Sequence, residues 1–168
     1  MARMRRIWLI TDTHWNHTRL IELGHRPANF EERIRFQWQR LVAPSDIVIH
    51  LGDVILGRKA MLPDILSELP GVKMLIRGNH DDESNGWYLS RGFAAVMDGM
   101  LMGDVWLTHQ PHAVLPVGAV LNVHGHIHDN NVPPLRPYCR LLALEHTQYA
   151  PVEMQSFCSK VAAQNLEN

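Results

Sequence analysis

The stretch AVLNVHGHIHDN, residues 119–130, places three histidines at alternate positions directly after an apolar run. A β-strand displays every second side chain on one face, so His124, His126 and His128 are predicted to point the same way. Adjacent imidazoles are costly in a core unless each is hydrogen-bonded. The stretch therefore predicts a strand that delivers imidazole nitrogens to a site, and we interpret the cluster as half of a metal centre.

Short apolar runs closed by glycine or polar residues recur along the chain and are typical of buried strands. They cover residues 6–11, 46–52, 72–78, 93–99, 104–109, 119–125 and 139–146. Apolar residues at helical spacing predict helices over 30–42, capped by Asn29, and over 59–71, with Pro63 near the start. The order is βαβαβ in the first half and mostly β in the second, which favours an α/β domain with mixed sheets.

Composition describes an ordinary globular chain. Its 168 residues are 46% apolar and 20% charged, which suits one domain over residues 1–168. The net charge of −1 provides no basic field for extended nucleic-acid binding. The apolar run IWLI is too short for a signal peptide or membrane span, and two cysteines make no disulfide framework. We expect a cytoplasmic protein with no membrane partner, and its oligomeric state stays open.

Metal-capable side chains follow the predicted strands at the same end. Asp12 and His14 follow the first strand and Asp53 the second. The pattern continues with Asn79 and His80, then His109, and finally His126 and His128. Ligands of open α/β sheets bind at the carboxyl ends of the strands, because the loops there converge. These residues are therefore predicted to form one site.

The donors in these loops are oxygen and imidazole, with no cysteine among them. Such a set suits Mn, Fe, Ni or Zn, with Mn favoured, over a thiolate zinc site. Two carboxylates, an amide and four histidines are more ligands than one ion uses. We expect two divalent ions, roughly 3.5–4 Å apart, with one carboxylate bridging them. The glycines Gly52, Gly78 and Gly125 fit close backbone approach beside the ligands.

Five motifs carry a resemblance to a known family. They are DTH at 12–14, LGD at 51–53, RGNHD at 77–81, the single His109, and GHIH at 125–128. In this order they resemble the calcineurin-like metallophosphoesterase superfamily, especially its small bacterial and phage members. The resemblance implies two facing mixed sheets flanked by helices, a four-layer αββα sandwich. It also implies hydrolysis of phosphate esters by a metal-bound hydroxide.

The resemblance also implies roles for the metal ligands. The first ion would be bound by Asp12, His14 and His128, and the second by Asn79, His109 and His126. Asp53 would bridge the two. His80 would act over the phosphate as a general acid or transition-state stabiliser, a role that suits an imidazole. Asp81 would orient His80.

The second motif departs from that of the protein Ser/Thr phosphatases. It reads GDVILGR, with Leu56 in place of a second aspartate and Arg58 out of alignment. This departure favours phosphodiesters over phosphomonoesters, with a nucleotide or another small phosphoester as substrate. The alternatives are a phosphomonoesterase, a nuclease and a non-catalytic metal-binding scaffold.

The roles of some residues near the motifs stay open in the sequence. His17 and His112 lie near motif residues and could contact a substrate. Trp15 could stack on a nucleobase or close the core. His50 is predicted to be a buried, hydrogen-bonded histidine, and His124 to pack in the core or support the site.

Overall fold

The computed structural model describes residues 4–128 and 135–164, so Asp129 and Asn130 of the opening stretch lie outside the described residues. Within these ranges the strands, numbered in chain order, are β1 (Ile7–Ile10), β2 (Ile47–His50), β3 (Val72–Ile76), β4 (Ala95–Met97), β5 (Met100–Met102), β6 (Val105–Leu107), β7 (Leu121–His124), β8 (Cys139–Leu141) and β9 (Val152–Glu153). The α-helices are α1 (Arg19–Glu22), α2 (Phe30–Leu41), α3 (Leu62–Glu68), α4 (Asn85–Leu89) and α5 (Met154–Gln164). Short 3₁₀ turns cover Lys59–Met61 and Leu144–Thr147.

The strands form two mixed sheets. The five-stranded sheet has the order β4-β3-β2-β1-β9, in which β9 alone runs antiparallel to its neighbour. The four-stranded sheet has the order β5-β6-β7-β8, in which β5 is antiparallel to β6 and the others are parallel. The prediction of an α/β chain with two mixed sheets and accompanying helices is confirmed.

The central strands are buried on both faces. In β1, Trp8 and Ile10 pack against helices α2 and α3, whereas Leu9 lies between the two sheets. The helices contribute to the first core Phe30, Ile34, Trp38, Leu62, Ile65 and Leu66. The core between the sheets contains Ile49, Leu51, Ile76, Val105, Leu107 and Val123. A strand that is buried on both faces has a continuous run of apolar residues, which explains why the sequence predicted these strands.

Some element bounds differ from the sequence prediction. The region 59–71 divides into a 3₁₀ turn and the shorter helix α3, with Pro63 in its first turn where a missing N–H costs nothing. Asn29 lies at the start of α2, but its side chain makes no capping hydrogen bond. The sequence did not predict β5, β9, α1, α4 or α5. Strands this short contain too few positions to show an alternating pattern.

Helix α5 runs beside β1 and β9, and its Met154 and Phe157 pack against the core between the sheets. Helices α2 and α3 form the layer on the opposite face of the five-stranded sheet. In the part of the chain that the structure describes, no helix is long and apolar enough to cross a bilayer.

Candidate metal centre

The strands that precede the motif loops end at the same level. Register pairs Ile10 of β1 with His50 of β2, and His50 with Leu75 of β3. On the facing sheet, Leu107 of β6 pairs with Val123 of β7. The loops that follow these strands bring together the seven predicted ligands Asp12, His14, Asp53, Asn79, His109, His126 and His128.

Many of these ligands have an unusual backbone conformation. Positive φ angles occur at Asp12 (49°), His14 (47°), Asp53 (57°), His126 (72°) and His128 (56°). Residues other than glycine rarely adopt this left-handed region, although Asp, Asn and His are enriched in it. Such strain clusters at functional sites, where the surrounding structure holds it in place. The motif loops are therefore built to aim side chains, at some cost in local backbone energy.

The first group consists of Asp12, His14 and His128. His14 Nε2 lies 3.3 Å from His128 Nε2, and both nitrogens lie 3.7 Å from Asp12 Oδ1. Asp12 Oδ2 accepts hydrogen bonds from Thr11 Oγ1 at 2.6 Å and from the His126 backbone at 3.0 Å. Asp12 Oδ1, in contrast, is buried and has no hydrogen-bond donor among the residues that the structure describes. A buried carboxylate oxygen facing two imidazole nitrogens fits a bound cation, which would offset the cost of burial.

The second group surrounds the ring of His109. Its Nε2 lies 2.9 Å from Asn79 Oδ1, 3.2 Å from His126 Nδ1 and 3.5 Å from Asp53 Oδ2. The other ring nitrogen, Nδ1, lies 2.8 Å from the Leu51 carbonyl oxygen, which can only accept a hydrogen bond. Nδ1 therefore carries a hydrogen, and Nε2 is the ring nitrogen that faces the group, where a bound cation would take the place of a second hydrogen. This is the orientation that a metal-binding histidine needs.

Asp53 lies between the two groups. Its Oδ2 is 3.8 Å from His14 Nε2 and 3.5 Å from His109 Nε2. Burial raises the pKa of Asp53, but the hydrogen bond and charge of His109 and the backbone N–H of His80 outweigh burial and lower it to about 2. Burial lowers the pKa of His14 to about 2. At neutral pH the carboxylate is thus ionised and the imidazole neutral, as metal ligands must be.

His80 lies at the mouth of the centre, with half of its side chain exposed. Its Nε2 is 4.0 Å from Asp53 Oδ2, and its ring centroid is 5.9 Å from that of His14. The imidazole can thus reach a group bound over the two ligand groups.

The Asp81 carboxylate joins two of the motif loops. Its carboxylate accepts backbone hydrogen bonds from Asp53 at 2.8 Å, Val54 at 3.0 Å and Gly78 at 2.8 Å. Among the hydrogen bonds of the described residues, none joins Asp81 to the His80 ring. Asp81 thus ties the β2 loop to the β3 loop beside Asp53, and its expected role in orienting His80 stays a prediction.

Trp15 is buried in the first core, with 1% of its surface exposed, and the Arg35 guanidinium lies 5.0 Å from its ring. It closes the core and is not available for stacking on a nucleobase. The ring of His17 is partly exposed, 5.6 Å from the ring of His14. His112 is exposed and lines a cleft next to Asn79 and His109.

The two strand histidines are buried, as predicted. His50 Nδ1 accepts from the Gly52 backbone at 3.1 Å, so its Nε2 carries the hydrogen and donates to Thr13 Oγ1 at 2.9 Å. His124 is fully buried, and its Nδ1 lies 2.9 Å from the Gly125 carbonyl oxygen. Neither belongs to the two ligand groups.

Sequence reasoning missed two residues behind His128. Arg26 and Glu145 form a buried ion pair that contacts the His128 ring. They are separated by 119 positions, and no spacing pattern connects them. The only signal was the motif context: Arg26 follows the first motif and Glu145 follows β8.

Comparisons with known proteins agree with this geometry. The family model described as calcineurin-like phosphoesterase matches residues 5–159. An uncharacterized protein of Methanocaldococcus jannaschii is 31% identical over 170 residues, which cover 90% of this chain and 88% of that protein. The gene 66 protein of Mycobacterium phage L5 is 34% identical over 84 residues, covering 46% of this chain and 41% of that protein.

Two solved structures are similar. A protein of unknown function from Aquifex aeolicus superimposes with a TM-score of 0.76 at 24% identity, covering 93% of this chain and 99% of that one. A nuclease from Pseudomonas putida gives a TM-score of 0.51 at 26% identity, covering 74% of this chain and 62% of that one. With the family model spanning nearly the whole chain, the protein belongs to the calcineurin-like phosphoesterase family.

Proposed function

We propose that the chain is a dinuclear metal-dependent phosphodiesterase acting on nucleotide-type substrates. The observation that carries the proposal is the position of Asp53 Oδ2, 3.8 Å from His14 Nε2 in one group and 3.5 Å from His109 Nε2 in the other. We assign one divalent ion to Asp12, His14 and His128. We assign a second to Asn79, His109 and His126, with Asp53 shared. These donors suit Mn, Fe, Ni or Zn, and we favour Mn.

Two divalent ions bound in this way hold phosphoryl oxygens and lower the pKa of a bound water toward neutrality. The chain's own residues supply orientation and proton transfer. Asp81 accepts a hydrogen bond from the Asp53 backbone, and the His80 backbone donates one to the Asp53 carboxylate. The shared carboxylate is therefore held in place before substrate arrives. The exposed ring of His80 donates a hydrogen bond to the phosphoryl group, or a proton to the leaving oxygen.

The preference for a diester rests on the room beside the centre. A phosphodiester carries a substituent on both sides of phosphorus, whereas a monoester carries only one. A cleft of about 270 Å³ adjoins Asn79 and His109, and its polar lining includes Arg77, Gln110 and His112. The side chain of His80 is half exposed next to the ligand groups. The cleft offers room for a second substituent, and its polar lining groups suit a sugar or a base.

The test compares bis-p-nitrophenyl phosphate with p-nitrophenyl phosphate, using metal-stripped protein resupplied with Mn²⁺, Ni²⁺ or Zn²⁺. We expect metal-restored cleavage, faster for the diester than for the monoester. Preparations of Asp53→Asn, treated identically, control for contaminating phosphatases. Faster monoester cleavage would contradict the diester preference. Two bound ions without turnover of either ester would favour a non-catalytic scaffold.

A nuclease is the second candidate, because the similar Pseudomonas putida structure is that of a nuclease. The net charge of −1 offers little attraction for a long polyanion, so we favour small substrates. A 2′,3′-cyclic nucleotide and a labelled single-stranded oligonucleotide separate the two. Hydrolysis of the cyclic nucleotide without internal cuts in the oligonucleotide supports the small-substrate proposal. Comparable internal cutting would support the nuclease.

A further inference from the structure

A buried ion pair lies directly behind the first ligand group. Arg26 Nε donates to Glu145 Oε1 at 2.7 Å, with side-chain exposures of 0% and 7%. Arg26 Nη1 also donates to the Asp12 backbone carbonyl at 2.7 Å, and its guanidinium lies 5.2 Å from the Phe30 ring. The pair thus connects the loop before α2, the β1 loop and the turn after β8.

Stability alone does not explain such a pair. Removing an arginine and a carboxylate from water costs about as much as their attraction returns, and apolar replacements of similar volume are often as stable. The position of this pair is more informative than its energy, since it meets the backbone of one ligand and the ring of another.

Both members of the pair contact the same ring nitrogen. His128 Nδ1 lies 3.4 Å from Glu145 Oε1 and 3.2 Å from Arg26 Nη2. A carboxylate only accepts hydrogen bonds and a guanidinium only donates them. Contact with Glu145 requires a hydrogen on Nδ1, whereas contact with Arg26 would require a lone pair there. One neutral ring satisfies only one of them.

The two choices have opposite consequences at the other side of the ring. With the hydrogen on Nδ1, the lone pair on Nε2 faces Asp12 Oδ1, 3.7 Å away, and His14 Nε2, 3.3 Å away. With the hydrogen on Nε2, the ring would present an N–H to the ligand group and could not bind a cation. A carboxylate on the outer nitrogen of a ligating histidine is the arrangement that fixes the useful tautomer.

We propose that Glu145 is a positioning residue that holds His128 in the Nδ1–H tautomer, with Arg26 fixing the Glu145 carboxylate. The proposal rests on the metal-binding part of the proposed function. Without the Glu145 charge, Arg26 is free to donate to Nδ1, and the hydrogen moves to Nε2. Binding of the first ion is then weakened. Binding at the second group, which does not contact Glu145, is unaffected.

The first test reads the tautomer in metal-free protein at pH 8, by long-range ¹H–¹⁵N correlation of the imidazole rings, with His128 assigned from a His128→Ala spectrum. We expect a hydrogen on Nδ1 in the wild type and a shift toward Nε2 in Glu145→Gln. Glu68→Gln is the matched control, because it removes a carboxylate from a surface arginine, Arg35. A wild-type ring protonated at Nε2 would overturn the proposal without any variant.

The second test measures Mn²⁺ affinity and stoichiometry by calorimetry and native mass spectrometry. We expect the first ion to bind about 10–100-fold more weakly to Glu145→Gln, with the second ion and Glu68→Gln unchanged. Two ions bound with wild-type affinities in Glu145→Gln would overturn the positioning role alone. A wild-type protein that binds no Mn²⁺, Zn²⁺ or Ni²⁺ would instead overturn the proposed function, and the tautomer measurement would still test Glu145.

Discussion

The backbone N–H of His80 donates a 2.9 Å hydrogen bond to Asp53 Oδ1, while the ring of the same residue lies 4.0 Å from Asp53 Oδ2. One residue therefore contacts the proposed shared ligand through its backbone and faces the proposed substrate side through its side chain. The two contributions separate cleanly, because a substitution removes the ring and leaves the backbone bond in place.

His80→Ala is expected to keep both metal ions and to lose turnover. The reason is that Asp53 keeps its backbone donor, while the group that assists the leaving oxygen is gone. We expect kcat for bis-p-nitrophenyl phosphate to fall about 10²–10⁴-fold. Metal content by inductively coupled plasma mass spectrometry, measured on the same samples, should stay at the wild-type ratio. Loss of metal together with rate would contradict the division between ring and backbone.

Asp53→Asn is expected to lose metal from both groups. Its Oδ2 lies near His14 of one group and His109 of the other, so the substitution removes a negative charge from both at once. The measurement is the metal-to-protein ratio after dialysis, which we expect to fall well below the wild-type value. Asp104→Asn, at an exposed position in the turn between β5 and β6, is the control and should retain wild-type metal. Retention of one tightly bound ion by Asp53→Asn would argue against a shared carboxylate.

Asp81→Asn is expected to destabilise the fold as well as the site. The carboxylate accepts three backbone hydrogen bonds, from Asp53, Val54 and Gly78. An asparagine places an NH₂ group against at least one of these donors, which leaves a buried N–H unpaired at a cost of about 1–3 kcal/mol. Thermal unfolding of metal-free protein measures the loss directly. The neighbouring Asp82→Asn changes an exposed carboxylate that pairs with Lys59, and it should leave Tm near the wild-type value.

The sequence predicted the site better than the connections that support it. The positions of Asp12, Asp53 and His126 could be read from strand ends, because parallel strands aligned in register bring their loops to one edge. Local sequence patterns locate the strand ends and therefore these residues. The pairing of the strands in the sheet then brings the residues close together.

The supporting contacts could not be read in this way. Arg26 meets Glu145 across 119 positions, and the partners of Asp81 are backbone atoms, whose position depends on loop conformation. The sequence left two roles open for Trp15, stacking on a substrate and packing in the core. A sequence does not show which way an aromatic side chain beside a motif points. Helix α5 was missed because its place beside β1 and β9 depends on tertiary packing, which the local sequence does not show.

Gly125→Ala tests how tightly the first group is packed. A Cβ at this position would lie 2.0 Å from Thr11 Oγ1 and 2.4 Å from Asp12 Oδ2, and both residues are buried. The clash cannot be relieved without moving Asp12, so we expect a loss of about 1–3 kcal/mol in unfolding free energy and weaker binding of one ion. Gly86→Ala is the matched control, since its nearest neighbour would be 4.0 Å away in helix α4. Equal effects of the two substitutions would show that the residues around Asp12 can shift to accommodate an added methyl group.

His50 should contribute to the loss of stability in acid. Burial lowers the pKa of His50 from 6.5 to about 3, so the folded ring stays neutral over a range in which the unfolded ring binds a proton. The unfolded state therefore binds more protons below pH 6.5, and the free energy of unfolding falls as pH drops from 6.5 toward 3. Each pH unit within this window costs up to about 1.4 kcal/mol.

The measurement is urea unfolding of metal-free wild type and His50→Gln at pH 7 and pH 5. Glutamine does not titrate and still offers an N–H to Thr13 Oγ1, while the other buried histidines remain in both proteins. We expect the wild type to lose about 1–2 kcal/mol more than the variant between the two pH values. Equal losses would mean that the His50 ring is protonated in the folded protein as readily as in the unfolded chain. The hydrogen bond from the Gly52 backbone to Nδ1 argues against that outcome, because a protonated ring could not accept it.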